Sequence, residues 1–153
     1  MKLEILKNIK KYKIETILDI GIGIGDYSKE FITKNTKLLI GIDDLSKNIT
    51  LQELKYNLNE NSFFQNIEFK FYPEKSVKVI YGLTEKFDLI IIESTEHLQT
   101  KIAEFNKALE LASKFIIIDC GNRDNLNYFK KEFPDIKFTE MIGVYQVKNN
   151  SGE

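Results

Sequence analysis

Five times along this chain a short β-branched run gives way to a segment whose apolar residues recur every three or four positions, and that alternation restricts the fold more than any other feature. The runs are TILDI (16–20), KLLIGID (37–43), IEFKFY (67–72), KFDLIIIE (86–93) and KFIIID (114–119). The last two do not alternate, as expected of strands covered on both faces. Helical spacing follows each run. From Asp26, DYSKEFITKN carries Tyr27 and Phe31 four apart. Residues 46–58 align Leu51, Leu54 and Leu58, with Ser46 as the cap. EKSVKVIYGL (74–83) reads as a short helix ending near Gly82. Residues 97–112 align Ile102, Phe105, Leu109 and Ala112, and residues 125–133 align Leu126, Phe129 and Phe133. An amphipathic helix over 2–12 comes first, and the tail DIKFTEMIGVYQVKN reads as two strands joined around Ile142–Gly143. Repeated strand–helix units imply a parallel sheet with right-handed crossovers. The expected fold is therefore α/β: a mostly parallel seven-stranded sheet, a C-terminal antiparallel hairpin and helices on both faces. Ligands in such sheets sit beyond the carboxyl ends of the strands, which directs attention to residues 19–26, 43–46, 72–76, 93–97 and 119–124.

At 153 residues the length suits one domain over 1–153 with its own core. No apolar run approaches the ~18 residues of a membrane helix, and charges interrupt the N-terminal MKLEILKNIKKYK, unlike a secretion signal. Neither a membrane nor an exported location is expected. Cys120 is the only cysteine and closes no internal disulfide, so a reducing cytoplasm is the expected compartment. A net charge of -1 argues against a strong nonspecific grip on nucleic acid, although a local basic patch stays open.

Behind the first strand stands DIGIGIGD, residues 19–26. A bare strand-to-helix turn does not require three alternate glycines, each of which adds backbone entropy to the unfolded chain. A dinucleotide loop, G-x-G-x-x-G, fits Gly21 and Gly23 but finds Asp26 at its third glycine. A carboxylate there would face a pyrophosphate at a helix N-terminus. The segment Asp19-Ile-Gly21-Ile-Gly23-Ile-Gly25 instead resembles the acid-x-G-x-G-x-G signature of class I methyltransferases that use S-adenosylmethionine (SAM), a Rossmann-like family, and all four marked positions match. The resemblance extends to the five strand–helix units and the closing hairpin. It implies SAM as cofactor, with the glycines flat against its methionine portion and Asp19 accepting hydrogen bonds around the amino group. A vicinal diol is best held by a carboxylate at the end of the second strand, about 20 residues on. Asp43 stands there, with Asp44 the second choice. The family's G-x-D-x-S pattern is interrupted here, because Asp44 separates Asp43 from Leu45-Ser46. The family's polar residue near the adenine has no clear counterpart in FYPEKS, where Tyr72, Glu74 and Ser76 are the candidates.

Methyl transfer is an in-line displacement in which the protein aligns the nucleophile and excludes water; a hydroxyl acceptor also needs a base. ESTEHL, after the fourth strand, resembles the E-x-x-E-H segment of small-molecule methyltransferases such as the quinone-biosynthesis group. His97, the only histidine, is the candidate base, with Glu93 beside it on the acceptor side; the competing reading makes Glu96 and His97 the start of a helix. A catechol-type magnesium site would use Glu93, Asp119 and Asn122, but Glu93 and Cys120 depart from that family's pattern, and no metal is expected. Cys120 has no neighbouring signal for a lowered pKa. The Asp/Asn-Pro-Pro-aromatic loop of amino-methylating DNA enzymes is missing, since no proline lies between Pro73 and Pro134. A small-molecule acceptor is favoured; RNA and protein acceptors stay open, with specificity supplied by the first helix, the loop after the fourth strand, a homodimer or a partner subunit. The other readings are a SAM-binding module without catalysis and, third, an NAD-dependent oxidoreductase.

Overall fold

The computed structural model describes residues 3–93 and 97–148. Seven strands form one sheet in the order β3-β2-β1-β4-β5-β7-β6. They are β1 (Thr16–Ile20), β2 (Leu38–Ile42), β3 (Glu68–Tyr72), β4 (Phe87–Ile92), β5 (Ala112–Asp119), β6 (Lys137–Thr139) and β7 (Ile142–Gln146). The first five run parallel, and β7 is antiparallel to both β5 and β6. The helices are α1 (Leu3–Lys10), α2 (Asp26–Phe31), α3 (Leu51–Leu58), α4 (Ser76–Ile80), α5 (Leu98–Leu111) and α6 (Arg123–Glu132), with a 3₁₀ turn at Phe64–Asn66 that the periodicity does not reveal. From β1 the chain builds outward through β2 and β3, then returns to lay β4 and β5 on the other side. The gap between β1 and β4 is thus the switch in strand order, where the crossovers diverge and leave room for a ligand.

Strand parity divides the core. Leu18, Ile20, Ile40, Ile42, Ile90, Ile92, Ile116 and Ile118 face α4, α5 and α6, where they meet Ile80, Phe105, Ala108, Leu126 and Phe129. Ile17, Leu39, Leu89, Ile91, Phe115 and Ile117 face the other way, toward Leu6 and Ile9 of α1, Phe31 of α2 and Leu54 and Leu58 of α3. Each such side chain, fully buried, contributes about 1.5–3 kcal/mol of transfer free energy. Both faces of the central strands are covered, and this explains their unbroken Ile runs.

Several boundaries differ from the sequence expectation; Ala112, expected on the helix over 97–112, opens β5 instead, and the first helix ends at Lys10 rather than at 12. The third helix starts at Leu51, not at 46. Thr50 caps it, its hydroxyl accepting from the Glu53 N–H at 3.1 Å, while residues 45–48 form a turn in which Leu45 and Asn48 take left-handed backbone. The second helix stops at Phe31, because Thr33 and Thr36 tie the next residues into a turn through their hydroxyls. The hairpin turns at Glu140–Met141, and Ile142–Gly143 belongs to β7, where the Phe138 ring and Ile136 lie against Gly143 too closely for a Cβ. The N-terminal helix is described from Leu3 to Lys10; Met1, Lys2, Ser94, Thr95, Glu96 and residues 149–153 lie outside the described residues. Helix α6 is capped by Asn122, whose Oδ1 accepts from the Asn125 N–H at 2.9 Å. Asn122→Ala is expected to lower the unfolding free energy by about 1 kcal/mol. A shifted urea midpoint at unchanged slope would register that loss, and an unmoved midpoint would contradict the cap.

Candidate functional site

The loop after β1 is stitched onto the end of β2. Gly21 and Ile22 both donate to the Ile42 carbonyl, at 2.7 and 3.1 Å, and the Gly23 N–H donates to Asp43 Oδ2 at 2.8 Å. Two of the glycines show different reasons for being glycine. Gly25 (φ +86°) starts α2 against α3, and a Cβ there would come within 2.8 Å of Leu54 and 2.9 Å of Leu58. It is a packing glycine. Gly23 (φ +55°) has room, since its Cβ would meet nothing nearer than 3.9 Å, but it lines a cleft and keeps that wall flat. Gly23→Ala is therefore expected to lose only about 1–2 kcal/mol of stability, from the left-handed backbone. A urea titration checks this; a loss above ~4 kcal/mol would place Gly23 in the core instead.

The cleft, of about 710 Å³, opens above the β1–β4 gap. That volume lies within the ~300–1,000 Å³ usual for small-molecule and cofactor sites. Its charged lining comprises Asp43, Asp44, Glu74 and Glu93 against Lys47 and Lys75, an acidic balance. Asp43 is half-buried. Its Oδ2 accepts from Gly23 N–H and its Oδ1 from Leu45 N–H, both at 2.8 Å. A carboxylate offers about four acceptor positions, so two remain for a ligand's hydroxyls. Asp44 is exposed, and the Ser46 side chain, then the Ser46 N–H that it accepts from at 3.0 Å, hold its carboxyl below the ordinary value. The start of α2 is already acidic: Asp26 occupies its first turn and accepts from the Asn57 amide at 2.9 Å.

Beneath the glycine loop lies a cluster of acids that the glycine motif does not reveal. Parity places Asp19 on β1, Asp119 on β5 and Glu93, one residue past β4, on the sheet face covered by α2. Glu93 continues the β1 ladder by donating its N–H to the Ile20 carbonyl at 3.0 Å. Asp19 is fully buried, and its Oδ2 accepts from the Ser28 hydroxyl at 2.6 Å. Asp119 Oδ2 accepts from the Tyr27 hydroxyl at 3.0 Å. Burial raises the Asp19 carboxyl to about 7. Burial, then the Asp19 charge, pushes Glu93 well above the usual carboxylate range, partly offset by Lys101. Tyr27 is pushed above the usual phenol range by burial and by Asp119. Lys101, only 1% exposed, is lowered by burial. The phase of the three acids was legible in the sequence: Asp19 next to last in β1, Glu93 one residue past β4 and Asp119 at the end of β5 all fall in step with the odd-numbered residues of their strands.

Of the residues expected at the site, Gly21, Gly23, Asp43, Asp44, Glu93 and His97 line one cleft, whereas Asp19 lies under its floor and Gly25 behind it. His97 is exposed and occupies the N-cap position of α5 without a side-chain cap bond. Glu96, its neighbour in the ESTEHL segment, lies outside the described residues. Glu74 and Ser76 reach the cleft, and the Ser76 hydroxyl donates to buried Glu104. Tyr72 ends β3 half-buried, its carbonyl accepting from the Asp43 N–H at 3.1 Å. Burial pushes the Cys120 thiol up to about 11, which leaves it a poor nucleophile. Among the described residues no group of three or more His, Cys, Asp or Glu is arranged to hold a metal, and no helix is long and apolar enough to cross a membrane.

No protein-family model matches the sequence, and a search of curated proteins found no match. Solved structures do match. An O-methyltransferase from Bacillus cereus in complex with S-adenosylhomocysteine (SAH) superposes with a TM-score of 0.64 at 15% identity, over 97% of this chain and 82% of that one. The O-methyltransferase TomG from Streptomyces achromogenes, in complex with SAM, gives 0.66 at 12% identity with the same coverage. An rRNA methylase from Streptococcus thermophilus gives 0.60 at 10% identity, over 95% of this chain and 93% of that one. At such identities the likeness is one of fold, and that fold is the one found in class I methyltransferases.

Proposed function

We propose that this chain binds SAM in the cleft above the β1–β4 gap and transfers its methyl group to a small-molecule acceptor in the cytoplasm. The observation that carries the reading is Asp43: a carboxylate that lines the cleft, is already anchored to the glycine loop and has two acceptor positions left fits a ribose diol. The acidic lining favours a ligand carrying sulfonium and ammonium charge over a diphosphate. Asp26 at the start of α2 further disfavours phosphate where the dinucleotide motif would place it. The solved neighbours with SAM or SAH lend support through the shared fold.

When bound, SAM supplies an electrophilic methyl on a sulfonium. The protein's share is then orientation: Gly21 and Gly23 offer a flat backbone, Asp43 fixes the ribose, and Ile42 and Ile49 form apolar wall. Glu93 and His97 border the side left for the acceptor; with a hydroxyl acceptor, His97 is placed to take its proton. The net charge of -1 and the cleft's acidity favour a small neutral or cationic acceptor over RNA. The test is calorimetry with SAM, SAH and NADH. Micromolar heats for SAM and SAH but none for NADH are expected; NADH binding alone would revive the oxidoreductase reading, and no heat with any ligand at millimolar concentration would remove the cofactor assignment.

A further inference from the structure

The motif reading leaves Asp19 and Glu93 with more chemistry than holding a cofactor requires. One oxygen of each, Asp19 Oδ1 and Glu93 Oε2, is buried with no hydrogen-bond partner among the described residues, although the two carboxyls lie within bonding reach of each other. Two ionised carboxylates cannot satisfy one another; a carboxyl and a carboxylate can, by sharing one proton. The surroundings favour that state. Asp43 at the end of β2, Asp119 at the end of β5 and the Tyr27 hydroxyl of α2 face the pair; Lys101 of α5 opposes them with positive charge, and Lys47 and Lys75 stand on the wall of the cleft. The Ser28 hydroxyl is already committed to Asp19 Oδ2. Lys101 itself is shared with Glu104, Asp119 and Cys120, and His97 stands exposed across the cleft.

Glu93 is the member that reaches the cleft, next to Gly21 and Gly23. We propose that Asp19 and Glu93 form a proton-sharing pair which gives up its proton when an amino-acid ammonium is seated on the glycine loop, so that cofactor binding is coupled to proton release. This rests on the SAM reading above. The balance is simple. The pair goes from one bound proton to none, the proton leaves to solvent, and the ammonium of the ligand replaces it as the counter-charge to Glu93. Linkage then fixes the sign: a ligand that expels a proton binds more tightly as pH rises, up to about tenfold per pH unit while the pair is protonated in the free protein. The trend reverses above about pH 8, where an α-amino group loses its own charge.

The experiment is calorimetry of the full chain with SAH at pH 7.0 in two buffers of different ionisation enthalpy, which counts protons released per ligand. About 0.5–1 proton is expected with SAH and close to none with 5′-methylthioadenosine, which lacks the amino-acid end. Glu93→Gln and Asp19→Asn should each abolish the release, since an amide satisfies its neighbour without a titrating proton, while His97→Gln should retain it. SAH binding whose heat is independent of buffer would overturn the pair even if neither variant folds. So would release that persists with methylthioadenosine or in both amide variants. Failure of SAH to bind at all would instead overturn the cofactor reading, and this inference with it.

Discussion

Replacing Asp43 by alanine is expected to weaken SAH binding by about 3 kcal/mol, roughly a hundredfold, with little change in overall folding. Two losses combine. The ribose loses a charged acceptor whose hydrogen bonds are worth ~1.5–3 kcal/mol each, and Gly23 and Leu45 lose the carboxylate that holds their N–H groups. Those N–H groups lie at a cleft wall and can turn to water, so stability falls less than affinity. Asp43→Asn separates the two effects. The amide oxygen can keep one backbone N–H, but the NH₂ group cannot accept from a hydroxyl, so binding should remain well below the native level. Affinity of Asp43→Ala within threefold of native would move the ribose elsewhere, with Asp44 the first alternative.

Asp19→Asn is expected to stabilise the free protein at alkaline pH by about 2–4 kcal/mol, an unusual gain for a change at a buried polar site. The sign follows from its carboxyl, raised by burial from the ordinary 3.8 to about 7. A group that holds its proton more tightly when folded contributes stability fully below the unfolded value. That contribution is lost as pH climbs through the folded value, up to about 4 kcal/mol for a shift of this size. Stability of the native protein should therefore decline between about pH 4 and pH 7 from this group and level off above. The asparagine would accept from Ser28 through its oxygen and donate to Glu93 through its nitrogen, so the Ser28 hydroxyl keeps its acceptor and the Glu93 carboxyl gains a donor. Urea unfolding of both proteins at pH 5 and pH 8 checks it: the difference between them should widen by ~2 kcal/mol or more at pH 8. An equal difference at the two pH values would show that Asp19 is ionised throughout.

Much of the fold was legible because burial on both faces leaves a plain mark. LIII in β4 and FIII in β5, short, largely β-branched and without alternation, fit the middle of a parallel sheet, and β1 and β2 end where the glycines and Asp43 follow them. The boundaries that shifted did so where a local hydrogen bond outweighed apolar spacing. Ser46 sits in a turn because Asp44 takes its N–H, and Thr50-Leu51-Gln52-Glu53 carries the capping pattern that in fact starts α3. Gly143 was read as a turn residue, yet its missing side chain makes room for Phe138 inside the hairpin. Of the site, the linear motif predicted the cleft-lining glycines and Asp43. It could not separate Gly23, open to the cleft, from Gly25, pressed against Leu54 and Leu58, because both look alike until α3 is in place. Nor could it bring Asp19, Glu93 and Asp119 together, which depends on β4 lying between β1 and β5 and on all three acids falling in one phase of the pleat.

The central claim is that the glycine loop and Asp43 jointly hold a sulfur-bearing nucleoside. A crystal structure with SAH tests it most directly. Both ribose hydroxyls should lie within hydrogen-bond distance of Asp43, and the amino-acid end should run along Gly21 and Gly23 toward Glu93. A nucleoside bound away from Asp43, or a glycine loop that closes on its own side chains and leaves the cleft without ligand at saturating SAH, would contradict it.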